Sequence, residues 1–324
     1  MGFFYSQLFK KLPYPTGDYS GRTIVVTGSN QGLGKEAARH YVRLGAGKMI
    51  LAVRNIEKGL EAKNDIETTI NCAIDVIEVW KLDMASYSSV EEFASRMNSE
   101  LGRVDIFIAN AGIAPAKYRV AEDNESSITV NFVSTFLLAA LVMPKLKITA
   151  ARFQTRPTFS FVSSDVHGHT TLPQKSAPDG ELLAMISEKS RAEILWAQQY
   201  PVSKLLGVFA MRTIAQRHSA STYPVTVNCV NPGLCHSELT REYPTFAIWL
   251  MKFLLARQTE VGSRTLVHGG SQGAESHGQY LSDCDIVEPA LFVTSKEGKE
   301  TQERVWIELM EKLDTIKAGV SSNF

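Results

Sequence analysis

The chain has few of the features that mark a nucleic-acid-binding, disulfide-stapled or metal-binding protein. Lys+Arg and Asp+Glu both total 34 among its 324 residues, so the formal net charge is zero. Without a strong field of one sign, nucleic acid and anionic membranes are poor candidate partners. The four cysteines show no C-x-x-C spacing and are typical of reduced thiols in an intracellular protein. We therefore expect a cytoplasmic protein with no nucleic-acid partner.

Long apolar runs and targeting signals are also scarce. The most apolar window, Tyr243–Ala256, has 14 residues, fewer than the ~20 that a membrane-spanning helix needs. The apolar opening, Met1–Lys11, lacks the cationic lead and the cleavage site of a secretory signal. Gly2 and Ser6 formally fit a myristoylation pattern, but an N-terminal arm (residues 1–20) packed on the domain surface is the simpler interpretation. We expect no transmembrane segment; a shallow peripheral contact with a membrane stays open.

Short apolar runs alternate with stretches of helical length, such as Leu33–Leu44 and Ser89–Leu101. Near-continuous runs of this kind suit strands that helices cover on both faces. The six runs are Thr23–Thr27, Met49–Val53, Val76–Trp80, Asp105–Ala109, Thr158–Val162 and Val225–Val230. Their order predicts an α/β protein with a Rossmann-type, doubly wound parallel sheet. No Pro/Gly-rich linker divides the chain, so residues 1–324 are expected to form a single domain.

A glycine-rich loop, Thr27–Gly34, follows the first strand and leads into a helix. Gly28 permits a tight turn, and Gly32 and Gly34 let backbone and helix approach a pyrophosphate. Asn30 and Leu33 belong to the same loop and are candidate contacts to the dinucleotide. The spacing differs from the familiar G-x-G-x-x-G, and taken alone the loop could also be a structural turn.

The end of the second strand indicates which dinucleotide is bound. NAD-binding sites usually carry an Asp or Glu there, whereas this chain has Arg54, with Lys58 about one helical turn later. A guanidinium can make two hydrogen bonds to a 2′-phosphate. NADP(H) is therefore the expected cofactor; the alternative is that Arg54 only solvates the strand end.

Tyr200 and Lys204 are four residues apart and share one face of a helix. A phenol is a weak base near neutral pH, and a nearby ammonium lowers its pKa. The pair is therefore interpreted as a tuned proton donor and acceptor. Together with the glycine loop it predicts a redox enzyme.

These motifs, with five others in the same order, resemble the short-chain dehydrogenase/reductase family over roughly residues 21–285. The further matches are Asp83, Asn110-Ala111-Gly112, Asn131 and Ser164, and the P-G loop at Pro232-Gly233. The resemblance implies that Ser164, Tyr200, Lys204 and Asn131 are catalytic. It further implies that Asp83 contacts the adenine, that Asn110 lies beside the cofactor, and that Tyr200 and Lys204 also contact it.

The chain departs from the family pattern in two places. The P-G loop continues with Leu234-Cys235-His236-Ser237; the Cys235 amide is expected to bind the nicotinamide, and Ser237 to replace a threonine. Residues 165–199 and 237–260 are expected to be substrate-side loops, and the apolar window Tyr243–Ala256 is interpreted either as a lid over the substrate or as an ordinary core helix. The segment between Ser164 and Tyr200 is longer than in most members. Monomeric carbonyl reductases of the family carry an insertion there, so both a monomer and a homodimer stay open.

The resemblance implies reduction of a ketone or aldehyde, or the reverse oxidation, and the apolar window Tyr243–Ala256 predicts that the substrate is an apolar small molecule. The segment Gly278–Cys284 resembles the retinol-dehydrogenase-like branch, and the opening Leu12–Gly21 resembles fungal reductases of secondary metabolism that act on polyketides. A ketoreductase of such a pathway is the favoured interpretation. A redox-neutral dehydratase or epimerase, and a dinucleotide sensor without turnover, are the alternatives. The pair His167 and His169 lacks further candidate ligands, so no metal site is expected.

Overall fold

Six parallel strands lie where the apolar runs predict them, within one or two residues at each end. The computed structural model describes residues 2–73, 75–240, 242 and 246–324, with the backbone alone at 240 and 246–249. The strands in chain order are β1 Thr23–Thr27, β2 Lys48–Val53, β3 Ile77–Lys81, β4 Ile106–Ala109, β5 Val120–Ala121, β6 Asn124–Glu125, β7 Thr158–Val162, β8 Thr226–Asn231, β9 Tyr280–Ser282 and β10 Asp285–Val287.

Helices follow most of the strands and cover both faces of the sheet. In chain order they are α1 Phe3–Phe9, α2 Gly32–Arg43, α3 Ile56–Ile70, α4 Tyr87–Glu100, α5 Ser126–Ile128, α6 Ser134–Phe153, α7 Leu182–Ser187, α8 Lys189–Ile194, α9 Trp196–Arg217, α10 Phe246–Leu255, α11 Thr259–Ser271, α12 Leu291–Thr294 and α13 Lys296–Ile316. The expected helices at 33–44 and 89–101 are α2 and α4.

The main sheet has the strand order β10-β9-β8-β7-β4-β1-β2-β3. Every neighbouring pair is parallel except β9 and β10, which form an antiparallel hairpin at the edge. The chain starts in β1, moves outward through β2 and β3, and then returns to β4 on the other side. In such sheets a ligand binds at the carboxyl ends of the strands where this reversal occurs. The predicted doubly wound α/β fold is confirmed.

Two apolar cores lie on the two faces of the sheet. One is built by α2, α3 and α11, and the other by α4, α6, α9 and α13. The helical stretch Ser126–Phe153 is long and apolar enough to cross a membrane, but its most apolar window lies entirely inside the second core. That stretch therefore behaves as the central helix of this fold.

The segment 165–199 is more ordered than a loop. It contains 3₁₀ turns at Asp165–His169 and Pro173–Ser176, then α7 and α8, and its last four residues already belong to α9. The buried carboxylate of Glu308, on α13, accepts hydrogen bonds of 3.1 Å from the Leu182 and Leu183 amides. These amides have no partners within their own helix, because they lie at its first turn. The carboxylate thus fastens the segment to the end of the chain.

A glycine sets the distance between α9 and the sheet. A Cβ added at Gly207 would lie 2.3 Å from Cζ of Phe161 in β7, and the Phe161 ring is itself buried against Phe136. A ring packed on all sides cannot give way cheaply. Gly207 therefore allows α9 to lie directly on β7.

We expect Gly207→Ala to lower the free energy of unfolding by about 1–3 kcal/mol, the usual cost of overpacking a core. The measurement is chemical denaturation followed by circular dichroism. Gly102→Ala is the matched control, because a Cβ there meets no atom within 4 Å. Equal stability of the two variants would show that α9 can shift away from β7.

Candidate active site

The glycine loop is pressed against the carboxyl end of β4. Gly28 has φ +65°, and a Cβ there would lie 3.0 Å from Cα of Ala111. A Cβ at Gly34 would lie 2.6 Å from Nδ2 of Asn110 and 2.8 Å from the Gly28 carbonyl oxygen. The three chain segments can approach this closely only without side chains at both glycines. The result is a bare backbone cradle at the amino end of α2, where a phosphate can lie.

Asn110 holds this cradle in place. Its Nδ2 donates to the carbonyl oxygens of Thr27, at 2.8 Å, and of Gly28, at 3.3 Å. Oγ1 of Thr27 in turn accepts from the amides of Asn110 and Ala111. In this structure Asn110 therefore positions the glycine loop, and its direct contact with a cofactor stays a prediction.

A cavity of about 590 Å³ opens beside the cradle, at the carboxyl ends of β2 and β3. The residues that line it are Asn30, Gln31, Arg54, Asn55, Ile56, Glu57, Lys58 and Lys81. Three cationic side chains face one carboxylate, so the cavity favours an anion.

Sequence reasoning missed Lys81 in this cavity. Its Nζ donates to the carbonyl oxygen of Arg54 at 2.6 Å, because β2 and β3 are neighbours and end side by side. A Lys two residues before Asp83 was the available signal, but only the strand pairing brings it to Arg54. Asp83 lies in the loop after β3, where one carboxylate oxygen accepts from the Ala85 amide at 3.0 Å.

Tyr200 and Ser164 meet at the carboxyl end of β7. The Tyr200 side chain is hydrogen-bonded to that of Ser164, the residue that begins the turn after the strand. Burial raises the pKa of Tyr200 well above its ordinary value, and the bond to Ser164 lowers it only in part. The phenol is therefore held in its protonated form.

Lys204 lies one turn further along α9 and is only 4% exposed. Its Nζ donates to the carbonyl oxygen of Val162 at 2.8 Å and lies 5.7 Å from the centre of the Tyr200 ring. Burial lowers the pKa of Lys204 to about 8. The expected lowering of the Tyr200 pKa by Lys204 is wrong for this arrangement, because burial has the largest effect on that pKa and Ser164 is the group that lowers it.

Asn131 lies in a π-helical segment, Thr129–Val133, that precedes α6. Its Nδ2 donates to the Ile113 carbonyl and to Oγ of Ser203, both at 2.9 Å, and its Oδ1 accepts from the Ile113 amide at 2.8 Å. A Cβ at Gly112 would lie 3.2 Å from Oδ1 of Asn131 and 3.6 Å from Nζ of Lys204. The side chains of Asn131 and Lys204 therefore lie close together beside Gly112. The role of Asn131 in holding a water stays a prediction.

Both ring nitrogens of His167 are used inside the fold. Nε2 accepts from the Ala290 amide at 3.0 Å, so Nδ1 carries the proton and donates to the Ser164 carbonyl oxygen at 2.8 Å. Burial lowers the pKa of His167, which favours this neutral form. His167 thus supports the backbone at Ser164 and is not placed to bind a metal.

The loop after β8 presents one backbone edge to the site. Cys235 forms a parallel bridge with Arg257, in which the Leu234 carbonyl and the His236 amide bond to Arg257. In parallel pairing the amide of the central residue points to the opposite side, which leaves the Cys235 N–H directed away from Arg257. The Cys235 thiol is buried, and burial raises its pKa to about 12. Ser237 is half-buried, and its carbonyl oxygen accepts from Lys252 at 2.8 Å.

The apolar window 243–256 is only partly described. Tyr243, Pro244 and Thr245 lie outside the described residues, and α10 begins at Phe246. In its second half, Phe253 is 67% exposed and Leu254 and Met251 are also exposed. These side chains do not belong to the core, so the interpretation of the window as an ordinary core helix does not fit them. A lid over the substrate stays a prediction.

Comparisons with known proteins agree with this geometry. The sequence profile of the family described as short chain dehydrogenase matches residues 22–156. The short chain dehydrogenase/reductase dmxR8 of Cryptosporiopsis sp. (strain 8999) is 72% identical over 324 residues, which is the whole of both chains. The short-chain dehydrogenase anuD of Penicillium roqueforti (strain FM164) is 41% identical, over 99% of this chain and 84% of that protein.

Solved structures show the same fold at low sequence identity. The short chain dehydrogenase from Shigella flexneri has a TM-score of 0.61 at 21% identity, over 87% of this chain and 99% of that one. A second Shigella flexneri structure of a short chain dehydrogenase, complexed with NADP, has a TM-score of 0.58 at 20% identity, over 82% and 98%. Together with the fungal relatives, the fold and the arrangement of Ser164, Tyr200 and Lys204 lead to one assignment: the chain belongs to the short-chain dehydrogenase/reductase family.

Proposed function

We propose that the protein is an NADP-dependent oxidoreductase that reduces a ketone or aldehyde on an apolar small molecule. The observation that carries the proposal is the hydrogen bond between the half-buried side chains of Tyr200 and Ser164, with the buried Lys204 ammonium 5.7 Å from the Tyr200 ring. This contact faces the end of the sheet at which the glycine cradle lies. A dinucleotide sensor without turnover needs only the glycine cradle, whereas a proton donor such as Tyr200 beside the Ser164 hydroxyl is needed for catalysis.

The residues of the site suit the two halves of the cofactor. The cradle at Gly28 and Gly34 fits a pyrophosphate. The Cys235 amide is directed away from its bridge partner, Arg257, and can therefore donate a hydrogen bond to the nicotinamide. When bound, NADPH supplies the hydride that adds to the carbonyl carbon of the substrate. Ser164 donates a hydrogen bond to the carbonyl oxygen and holds it beside Tyr200.

Tyr200 then acts as the general acid. Its raised pKa keeps the proton in place until negative charge develops on the substrate oxygen, which then takes it. The product is an alcohol, and the phenolate that is left is stabilised by the nearby Lys204 ammonium. In the oxidative direction the same groups work in reverse, with Tyr200 as the base.

The preference for NADP is supported by the cationic cavity. Arg54, Lys58 and Lys81 converge where the adenosine ribose of a bound dinucleotide would lie, next to the cradle. A 2′-phosphate brings two negative charges to such a place, and a guanidinium can bind it with paired hydrogen bonds. The NADP complex of the Shigella flexneri protein is consistent with this choice.

The substrate and the cellular setting are proposed from weaker signals. The exposed apolar residues of α10, after the Cys235 loop, suit an apolar substrate, and the fungal relatives are compatible with a biosynthetic ketoreductase acting on a polyketide-type secondary metabolite. We also propose that the protein is cytoplasmic and is either a monomer or a homodimer. α13 packs against α9, with a 2.7 Å hydrogen bond from Gln302 to Gln216, and so covers part of that helix.

Tyr200→Phe is expected to reduce ketone-dependent oxidation of NADPH by more than ~10²-fold, the scale of lost general acid catalysis. The affinity for NADPH, measured by fluorescence titration, should stay near that of the parent protein. Tyr223→Phe is the control, since Tyr223 precedes β8 and packs on His218 away from the site. Full turnover in Tyr200→Phe would remove Tyr200 from the mechanism.

The pH dependence of reduction should follow Lys204. Its folded pKa of about 8 lies below the ordinary value, so the ammonium is present below that pH and is lost as pH rises through it. We therefore expect kcat/KM for the ketone to be level at lower pH and to fall about tenfold per unit above pH 8. In Lys204→Arg the charge persists, and the fall should disappear. A level profile in the parent protein up to about pH 10, near the ordinary pKa of lysine, would contradict this assignment.

Arg54→Asp should weaken NADPH binding by about 10–100-fold, the scale of one or two charge-assisted hydrogen bonds. NADH binding should change little, and Lys81→Ala should show a smaller loss of the same kind. Lys296→Asp makes the same change of charge at a side chain that is 94% exposed and should affect neither cofactor. Equal losses for NADPH and NADH in Arg54→Asp would refute the role in binding the 2′-phosphate.

A further inference from the structure

The N-terminal helix α1 is fastened to the loop that follows β8. The Gln7 side chain bonds to both polar groups of the Leu234 backbone. Its Nε2 donates to the Leu234 carbonyl oxygen at 2.9 Å and to the Leu255 carbonyl oxygen at 3.0 Å, and its Oε1 accepts from the Leu234 amide at 3.3 Å. The Gln7 side chain thus makes the two hydrogen bonds to the Leu234 backbone that a neighbouring strand would otherwise make.

Arg257 also connects α1 to the loop that follows β8. Its guanidinium is buried, with 6% exposure of the residue. It donates to the Ser6 carbonyl oxygen at 2.7 Å, to the Pro232 carbonyl oxygen at 3.3 Å and to the Asp283 carboxylate at 2.6 Å. A buried guanidinium with several acceptors has a fixed geometry. Arg257 therefore ties α1, the loop after β8 and the β9–β10 turn together.

These contacts all lie on one side of the loop. Gly233, with φ +76°, is packed so tightly that an added Cβ would lie 2.5 Å from Oε1 of Gln7 and 2.9 Å from Nη1 of Arg257. The Cys235 amide is directed away from Arg257, and in the proposed function it is the group that meets the nicotinamide. A shift of α1 would thus move the edge of the loop that is presented to the nicotinamide.

The helix also forms a wall of a cavity of about 460 Å³ at the carboxyl ends of β7, β8 and β9. Phe3, Ser6 and Gln7 line it from α1, and Asp165, the neighbour of Ser164, lines it from the opposite side. The N-terminal segment therefore lies within the surroundings of the site. None of the residues of α1 is buried, so the helix is a surface arm that lies beside this cavity.

We propose that α1 is part of the active site and that Gln7 is a positioning residue, which holds the Pro232–Ser237 loop against the nicotinamide. The effect of Gln7 on turnover rests on the proposed function. Its effect on the loop does not, because the hydrogen bonds are made by the chain alone. The two consequences can be measured separately.

The test compares Gln7→Met with the parent protein and with Phe4→Ala. Met keeps the length of the side chain but neither its donor nor its acceptor; Phe4 lies on the same helix and is exposed. The first measurement is hydrogen exchange of the segment 232–237 in the protein without cofactor. Exchange in Gln7→Met should be about tenfold faster, the scale of one or two lost hydrogen bonds, and that of Phe4→Ala should match the parent.

The second measurement is the kinetics of ketone reduction with NADPH. We expect kcat to fall about tenfold in Gln7→Met, while NADPH affinity, which depends mainly on the glycine cradle and the cationic cavity, changes by less than about threefold. A variant that was only less stable would also lose apparent kcat through inactive protein, so kcat is expressed per NADPH-binding site counted in the same titration. Expressed in this way, the kcat of such a variant would match that of the parent protein. Gln7→Glu, which places a carboxylate against two carbonyl oxygens, should behave like Gln7→Met.

Unchanged exchange in the segment 232–237 would overturn the proposal, whatever the kinetics. Faster exchange with an unchanged kcat would overturn the positioning role in turnover. If the parent protein reduces no ketone or aldehyde, that result counts against the proposed function. Faster exchange in Gln7→Met would even then support the conclusion that Gln7 holds the loop.

Discussion

The close approach of α9 to β7 is the contact on which the site depends. The missing side chain at Gly207 lets the helix lie on the Phe161 ring. At that distance the Lys204 ammonium reaches the Val162 carbonyl oxygen and the Tyr200 phenol reaches Ser164. Burial of both groups follows from the same packing and sets the direction of both pKa shifts. The proton chemistry of the site is thus a result of how tightly a helix fits a sheet.

The cationic cavity and the Tyr200–Lys204 pair differ in their exposure to solvent. The cavity around Arg54, Lys58 and Lys81 is open to solvent, where a concentration of positive charge attracts an anion at modest cost. Lys204 is almost fully buried and Tyr200 is half-buried beside it, and where the dielectric constant is low a small change in the position of a charge has a large effect on its energy. The cavity favours binding, and the pair favours controlled movement of a proton. The strand order places them on either side of the same crevice.

Sequence reasoning located the central strands because each is a short, continuous apolar run, and parallel strands covered on both faces have that composition. The edge hairpin β9–β10 was missed, since its strands have three residues each and contain serine and aspartate. The site residues found from motifs lie together, whereas Lys81 and Gln7 were missed. Their partners are a strand neighbour and a loop more than 200 residues away. Such contacts depend on tertiary packing and leave no local pattern. The direction of the Tyr200 pKa was wrong for the same reason, because it depends on burial.

The hydrogen bonds of Gln7 have a consequence for the order in which the protein is assembled. Its partners lie 227 and 248 residues further along the chain, so α1 leaves the ribosome long before the backbone that it will bind exists. Contacts of such wide separation form late, because a long loop must close before they bring any gain. The loop after β8 can therefore take its final shape only after Leu255, the more distant of these partners, has been made. A partly made chain with an ordered glycine cradle would hold a dinucleotide before it could use one.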